Sequence, residues 1–193
     1  GINKIFIVTG YHSEQIHSHL PNDLIFIHNV DFATTNNLYS VWTAKNSLDD
    51  DFICIYGDLL FDKNILNNCM QDQNEICLVI EKNVRDETMK VKIKNNLITQ
   101  LSKNISNQNA DGNFIGMAKF KKSALSLFFN EIDILVKNKN FDFYYTSAIE
   151  SMIKKNQKIN FVNTKNLTWM DIDEKNEFEE AKTLFNKMCE ANS

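Results

Sequence analysis

The sequence predicts a three-layer α/β domain with a mixed, mostly parallel sheet and a small β-hairpin insertion. Short apolar runs alternate with amphipathic stretches through the first third of the chain, which is typical of successive β-α units. Two further apolar runs flank Asn95-Asn96, a dipeptide that favours a hairpin turn. The chain has 193 residues, of which 43% are hydrophobic and 24% charged. We therefore expect residues 1–193 to form a single domain with a full-sized core.

Each element of the first half follows from a local pattern. Short apolar runs predict strands at Ile5 to Val8, Leu24 to His28, Phe52 to Tyr56 and Cys77 to Ile80. Amphipathic spacing predicts helices at Ser13 to His19, at Asn37 to Ser47, and after Asp62 through Met70. Asn36 and Asp62 precede two of these helices. Because Asn and Asp are favoured N-cap residues, we expect each to cap its helix.

The second half continues the same alternation after the hairpin. The hairpin strands are predicted at Met89 to Ile93 and Leu97 to Leu101, and later strands at Phe114 to Phe120 and Ile159 to Val162. Helices are predicted at Ser123 to Val136, Tyr145 to Lys155 and Lys175 to Cys189.

Composition excludes several classes of partner. The net charge is -4 and no basic stripe is present, so a nucleic-acid partner is not expected. No apolar run is long enough to predict a membrane span. The four cysteines form no CxxC pair, and Cys54 and Cys77 lie inside apolar runs, which favours a reducing cytoplasmic location.

The segment Phe52 to Phe61, FICIYGDLLF, contains the first candidate functional residue. A buried strand is interrupted by Gly57 and Asp58, and apolar residues resume at once. Carboxylates at the carboxyl end of a sheet strand are where α/β proteins place their chemistry. Asp58 is therefore a candidate active-site residue.

A second acidic cluster precedes the last helix, in the segment Trp169-Met170-Asp171-Ile172-Asp173. In an extended segment, Asp171 and Asp173 point to the same side. Together with Asp58 they could hold Mg²⁺, which is commonly bound by one or two carboxylates plus water and phosphate. The alternative, in which Asp173 is a helix cap and Asp171 is solvated, stays open.

Two polar and aromatic segments are further candidates. Residues 35–40 are rich in hydrogen-bonding groups at a helix start, although Asn36 also fits a simple cap. The segment from Asp142 to Thr146 places two tyrosines beside an acid, which could enclose a cationic or polar group. The alternative there is a buried aromatic pair. The four histidines form a poor metal set, and no GxSxG nucleophile motif is present.

Taken in order, these segments resemble the nucleotidyltransferases that make sugar nucleotides and CDP-linked head groups. The matching features are GINKIFIVTGYHSEQI, the N-N-x-Y-S stretch from Asn36, the Gly-Asp turn at Asp58, the strand IGMAKF with Gly116, the Asp-x-Tyr-Tyr segment at Asp142, and W-x-DID. The order is most similar to the bacterial phosphocholine and phosphonate cytidylyltransferases. The resemblance implies a Rossmann-like fold.

The family begins with a further strand-loop-helix unit that carries a Gly-rich loop for the nucleotide. The resemblance therefore implies that these residues are truncated at the N-terminus relative to the family. It also leads us to expect that the 193 residues alone are inactive.

The resemblance implies transfer of a cytidylyl group from CTP to a small phosphate or phosphonate acceptor, with release of pyrophosphate and dependence on Mg²⁺. Asp58 and Asp173 would hold the metal, with Asp171 as an additional or alternative ligand. Lys103 would steady the acceptor phosphate. The remaining implied substrate contacts are Asn36, Tyr39, Trp42, Asp86, Gly116, Asp142, Tyr144 and Tyr145. For Lys103 and Asp86, a solvated surface position is the alternative.

Three other functions stay open at this point. Within the family, the acceptor could be a sugar 1-phosphate with another nucleoside triphosphate. A DxD glycosyltransferase is a different enzyme class, although its DxD usually follows an internal strand. A non-catalytic nucleotide-binding domain is the third, which the retention of Asp58 and the Asp171–Asp173 pair disfavours.

Overall fold

The computed structural model describes residues 1–86 and 88–191. These residues form the following strands: β1 (Phe6–Thr9), β2 (Ile25–His28), β3 (Phe52–Ile55), β4 (Leu59–Phe61), β5 (Ile76–Glu81), β6 (Lys90–Lys94), β7 (Leu97–Ser102), β8 (Gly112–Phe120), β9 (Asn160–Asn163) and β10 (Trp169–Asp171). The helices are α1 (Ser13–His19), α2 (Asn37–Ala44), α3 (Lys63–Gln71), α4 (Lys122–Lys137), α5 (Thr146–Lys154) and α6 (Lys175–Ala191). None of the helices in the described residues is long and apolar enough to cross a membrane.

The chain divides into two compact units. The first contains residues 1–50 and 123–157, and the second contains residues 51–122 and 158–193. In the first unit, β1 pairs in parallel with β2. Its helices α4 and α5 contribute a buried group that includes Phe128, Ile132 and Ile149. That the two units together form a single domain stays a prediction.

The second unit is built around β8, a nine-residue strand that is buried throughout. Strand β5 pairs antiparallel with β8 along one edge, and β6 and β3 pair antiparallel with the start and end of its other edge. Strand β9 extends the sheet in parallel with β5, and β7 forms a hairpin with β6. A core beneath the sheet includes Ile65, Val79, Ile115 and Met117.

The α/β class and the mixed sheet are confirmed. Parallel pairs join β1 to β2 and β5 to β9, whereas the other paired strands are antiparallel. The share of parallel pairs is therefore smaller than the β-α alternation indicated, because β8 runs opposite to all of its neighbours.

Most elements lie where the sequence predicts them. Helix α1 matches its predicted range, and Asn95 and Asn96 turn the hairpin with φ of 51° and 60°. Asn36 and Asp62 cap α2 and α3, each accepting a backbone N–H through its side chain. The predicted helix over Asn37 to Ser47 is α2 followed by a 3-10 turn at Lys45–Ser47. Strands β4 and β10 were not predicted.

Candidate active site

Asp58 lies in the tight turn between β3 and β4. Before the turn, Tyr56 donates its backbone N–H to Gly116 O at 3.0 Å. The turn is closed by a bond from Leu59 N to Tyr56 O at 3.4 Å, which leaves Gly57 and Asp58 exposed at its tip. The φ of Gly57 is not in the left-handed region and its surroundings are open, so the turn does not require glycine.

Strands β4 and β10 join the two acidic segments. They pair antiparallel, with Leu59 opposite Asp171, and the ladder is extended by a bond from Ile172 N to Asp58 O at 3.0 Å. Asp58 is therefore opposite Ile172, between Asp171 and Asp173. The structure thus brings Asp58 close to Asp171 and Asp173, which lie more than a hundred residues later in the sequence.

The three side chains carry mutually repelling charges. The pKa of Asp171 is raised to about 6, first by burial and then by the charges of Asp58, Asp173 and Glu177, while the charge of Arg85 lowers it in part. None of the three Asp side chains accepts a hydrogen bond or forms an ion pair with a described residue. Repelling carboxylates with unused oxygens are the donor set that a hard cation such as Mg²⁺ requires.

The described residues contain no group of side chains that is already arranged to coordinate a metal ion. Among residues 1–86 and 88–191, no three His, Cys, Asp or Glu side chains are arranged to hold one. Two protein carboxylates are sufficient for Mg²⁺ when water and phosphate complete its coordination. Asp58 and Asp173 could therefore hold the ion as a pair, and the roles of all three acids as metal ligands stay predictions.

The alternative of Asp173 as a helix cap is not what the structure shows. The carboxylate of Glu177 accepts the backbone N–H groups of Asp173 and Glu174, at 2.7 and 2.8 Å. This is the reach-back half of a capping box, and it satisfies the start of α6. The Asp173 side chain is exposed and is not used for capping.

A buried polar group that the sequence did not predict supports β10. Glu81 is 6% exposed and accepts hydrogen bonds from Thr164 Oγ1 at 2.6 Å and Trp169 Nε1 at 3.4 Å. Burial raises the pKa of Glu81, but these bonds and those from backbone N–H groups lower it, and the net pKa is below its ordinary value. The indole of Trp169 is thereby fixed, with the Arg85 guanidinium over its ring.

The other predicted contacts of the second unit lie around this region. Asp86 is exposed and accepts a hydrogen bond from Asn107 Nδ2. Lys103 is exposed directly after β7. Gly116 is buried, has a φ of +93°, and faces the Tyr56 ring, so its α-carbon packs against protein. Its observed part is to position the strand that leads to Asp58.

In the first unit, α2 presents aromatic residues beside acids. The Tyr39 ring lies 5.1 Å from Trp42 and 5.5 Å from Phe141, and its hydroxyl donates to Asp31 Oδ2 at 3.0 Å. This bond raises the pKa of Tyr39, and burial and the Asp31 charge raise it further. The Trp42 indole donates to Asp133 Oδ1 at 3.0 Å. Tyr39 and Trp42 are both half-buried, so neither residue is sealed in the core.

The Asp142 to Thr146 segment divides between surface and core. Asp142 is exposed and Tyr144 half-buried. Tyr145 is fully buried, and its ring packs edge-to-face against Phe128. Its backbone N–H donates a hydrogen bond to Asn37 Oδ1 at 2.9 Å. Tyr145 is therefore a core residue, as the alternative interpretation of this segment held, because its ring fills the space between helices.

The chain is similar to several known proteins. No family model matches the chain. It is 27% identical, over 158 residues, to the Bifunctional protein GlmU of Methanococcus aeolicus; the match covers 80% of this chain and 37% of that protein. The inositol-1-phosphate CTP transferase from T. maritima has a TM-score of 0.73 and 18% identity, over 94% of this chain and 77% of that chain. The CTP:phosphocholine cytidylyltransferase from Streptococcus pneumoniae has a TM-score of 0.75 and 20% identity, over 96% and 79%.

The chain has the nucleotidyltransferase fold. The predicted resemblance is thereby confirmed at the level of fold, since both solved structures share it over nearly the whole of this chain. The chain spans little more than a third of the length of the curated relative it matches. Within this nucleotidyltransferase fold, the three acids meet at the β4–β10 ladder.

Proposed function

We propose that the protein is a Mg²⁺-dependent nucleotidyltransferase that transfers a cytidylyl group from CTP to a small phosphate or phosphonate acceptor. The observation that carries the proposal is the β4–β10 ladder, which places Asp58 beside Asp171 and Asp173. Two solved structures of the same fold are named for transfer from CTP, which supports the choice of nucleotide.

In the proposed reaction, an oxygen of the acceptor phosphate attacks the α-phosphorus of CTP. The bond from this phosphorus to the bridging oxygen breaks, and pyrophosphate leaves with the electron pair. Because the acceptor phosphate is already ionised, no side chain has to remove a proton. The main obstacle is the approach of two anions, so positive charge at the site is the requirement.

Asp58 and Asp173 would hold the Mg²⁺, and Asp171 would reinforce their negative field. When bound, the ion neutralises phosphate charge and orients the reacting oxygens. The protein's own contribution is positional. The β4–β10 ladder fixes the backbone of both acidic segments, and Glu177 binds the backbone N–H of Asp173, so the positions from which the carboxylates project are set before substrate arrives.

We further propose that the acceptor carries a cationic group such as a quaternary ammonium. The half-buried rings of Tyr39 and Trp42, with the Asp31 carboxylate bonded to the Tyr39 hydroxyl, have the chemistry that binds such a cation. Phe141 supports the Tyr39 ring edge-on. The contribution of each ring to cation binding is about 0.5–2 kcal/mol.

The test is pyrophosphate release by the protein expressed from its complete gene, with Mg²⁺. CTP, UTP, GTP and dTTP are each combined with phosphocholine, 2-aminoethylphosphonate or glucose 1-phosphate. Release with CTP and one of the first two acceptors supports the proposal, and Asp58→Ala should then abolish it. Release only with glucose 1-phosphate would replace the acceptor class. Release from no pair would refute nucleotidyl transfer. In a parallel incubation with a nucleotide sugar, release of nucleoside diphosphate would indicate a glycosyltransferase.

The acceptor pocket is tested separately. Trp42→Ala should weaken the binding of phosphocholine about 10-fold without changing the KM for CTP. Phe129→Leu changes an aromatic residue of α4 that is 4% exposed, and it serves as a control for general loosening of this unit. Equal effects of both variants on phosphocholine would contradict a specific role for Trp42.

A further inference from the structure

Arg85 stands apart from the other basic residues. It is the only arginine among the 21 Lys and Arg residues of the chain. Its guanidinium lies over the Trp169 ring, 4.2 Å from the centroid, within the range of a cation–π contact. Trp169 is 6% exposed and its indole N–H is held by Glu81, so the surface beneath the guanidinium is rigid.

The backbone that carries Arg85 is also anchored. Its N–H donates to Asn113 Oδ1 at 3.1 Å, and Thr88 Oγ1 donates to the same oxygen at 2.7 Å. Asn113 is fully buried and donates its Nδ2 to Asn83 O at 2.7 Å. One buried amide therefore anchors Asn83, Arg85 and Thr88, so the backbone from which the Arg85 side chain extends is fixed.

The guanidinium has no partner for its charge among the residues that the structure describes. It makes no ion pair or hydrogen bond with any of them. The five N–H donors of Arg85 are therefore available to an anion. Arg85 is also an exposed residue, so a solute can reach it. Trp169, over which it lies, is two residues before Asp171 in β10, so the two side chains are on the same side of the strand.

We infer that Arg85 binds a phosphate group of the substrate at the Asp58–Asp171–Asp173 cluster; the identity of that substrate rests on the proposed function. A guanidinium can bind two phosphate oxygens while its face stays stacked on an aromatic ring, which a lysine ammonium cannot do. A phosphate brought to three carboxylates needs positive charge, and Arg85 supplies it from the protein. The phosphate could belong to the nucleotide or to the acceptor.

The competing explanation is that Arg85 only packs on Trp169. The two explanations differ in what a phosphate does to the reactivity of the guanidinium. If Arg85 only packs, its donors stay exposed to reagents whether or not a phosphate is present. If it binds phosphate, occupied donors should be protected.

Mass spectrometry of the peptide that contains Arg85 makes this measurable without mutation, because it reports on this arginine separately from any other. The rate of modification by phenylglyoxal is followed by mass spectrometry of the Arg85 peptide, at constant Mg²⁺ and ionic strength. The probes are inorganic pyrophosphate, CTP and phosphocholine, and the phosphate-free controls are cytidine and choline. We expect about 5-fold or greater protection by at least one phosphate compound at saturation, and none by the controls. Protection by CTP and pyrophosphate assigns the site to the nucleotide, and protection by phosphocholine assigns it to the acceptor.

Variants give a second readout. Arg85→Lys keeps the charge but removes the paired N–H donors of the guanidinium. It should weaken the binding of the phosphate compound that protects Arg85 about 10-fold, as measured by calorimetry. Lys82→Gln removes an exposed charge from the same loop and should leave its affinity unchanged. Melting curves verify that both variants fold.

The outcomes separate this inference from the proposed function. No protection by any phosphate compound, or equal affinities of wild type and Arg85→Lys, would overturn the role of Arg85. Pyrophosphate release with an unprotected Arg85 would overturn it while the proposed function stands. Protection without pyrophosphate release in any acceptor assay would support Arg85 and refute nucleotidyl transfer.

Discussion

Replacing Asp171 with Asn should make the protein more stable at neutral pH. The substitution keeps the shape of the side chain and removes a charge that is partly buried and faces Asp58 and Asp173. Because the pKa of Asp171 is raised in the folded state, its ionised form is disfavoured by folding. A neutral side chain at this position avoids that penalty.

The size of the effect follows from the pKa. A rise from 3.8 to about 6 is roughly two units, and each unit corresponds to about 1.4 kcal/mol. Because Asp171 is only partly buried, solvent screens the repulsion and we expect a gain of about 1–2 kcal/mol. For a chain of this length that is roughly 2–8 °C in melting temperature.

The difference in stability between wild type and Asp171→Asn should depend on pH. Below pH 3.8 the side chain is protonated in both the folded and the unfolded state, so wild type and Asp171→Asn should have equal stability. The favourable contribution of protonated Asp171 is lost as the pH rises through about 6, and the variant should be more stable above that pH. Urea titrations from pH 3.5 to 7.5 without divalent ions measure this, with exposed Asp23→Asn as the matched control.

Two results would refute the reasoning. One is that Asp171→Asn is no more stable than wild type at pH 7.5. The other is that the gain persists undiminished at pH 3.5, since no charge is then present to remove.

The remaining predictions concern the support of the site. At Gly116, with φ of +93°, an added Cβ would lie 2.6 Å from Tyr56, so Gly116→Ala should lower the free energy of unfolding by about 2 kcal/mol or more. A Cβ added at Gly57 would meet no atom within 4 Å, so Gly57→Ala should change the free energy of unfolding by less than about 0.5 kcal/mol. Equal losses for Gly116→Ala and Gly57→Ala in urea titrations would contradict this difference between the two positions. The pKa of Glu81 is lowered on balance, because hydrogen bonds such as that from Thr164 outweigh its burial, so its stabilisation is present above pH 4.5 and is lost as the pH falls. Glu81→Gln should therefore melt about 2–6 °C lower at pH 7 and show a smaller loss on acidification, and a melting temperature equal to wild type at pH 7 would count against this role.

The fold was largely predictable because most elements carry their own local signal. The segment from Ser13 to His19 was recognisable as a helix and Asn95-Asn96 as a hairpin turn, because each of these signals lies within the few residues that it concerns. The antiparallel direction of β8 could not be predicted in this way. Strand direction depends on which distant strands pair, and apolar runs look the same in both directions.

The candidate site was predicted as residues rather than as a structure. The sequence suggested that Asp58 could share a cation with Asp171 and Asp173, and the resemblance to a family supported this, but the pairing of their segments could not be predicted because β4 and β10 have three residues each. Such short strands are below the length at which alternation can be recognised. The physical reason for the pairing, the ladder between the two segments, became visible only in the structure.

The cluster of Glu81, Trp169 and Arg85 was missed altogether. Glu81 follows an apolar strand and looks like a surface residue, whereas its burial depends on Thr164, which lies 83 residues away. One signal was present in the sequence: a chain with 20 lysines keeps a single arginine. Since Arg and Lys are not interchangeable at stacked or bidentate sites, that residue warranted attention.

The central claim is that Asp58 and Asp173 together hold a divalent cation. Its most direct test is titration with Mn²⁺, followed by electron paramagnetic resonance, in the presence and absence of CTP. We predict one bound ion in wild type and in Asp23→Asn, and affinity at least about 10-fold weaker in both Asp58→Asn and Asp173→Asn. Unchanged Mn²⁺ affinity in either of these two variants would contradict the claim.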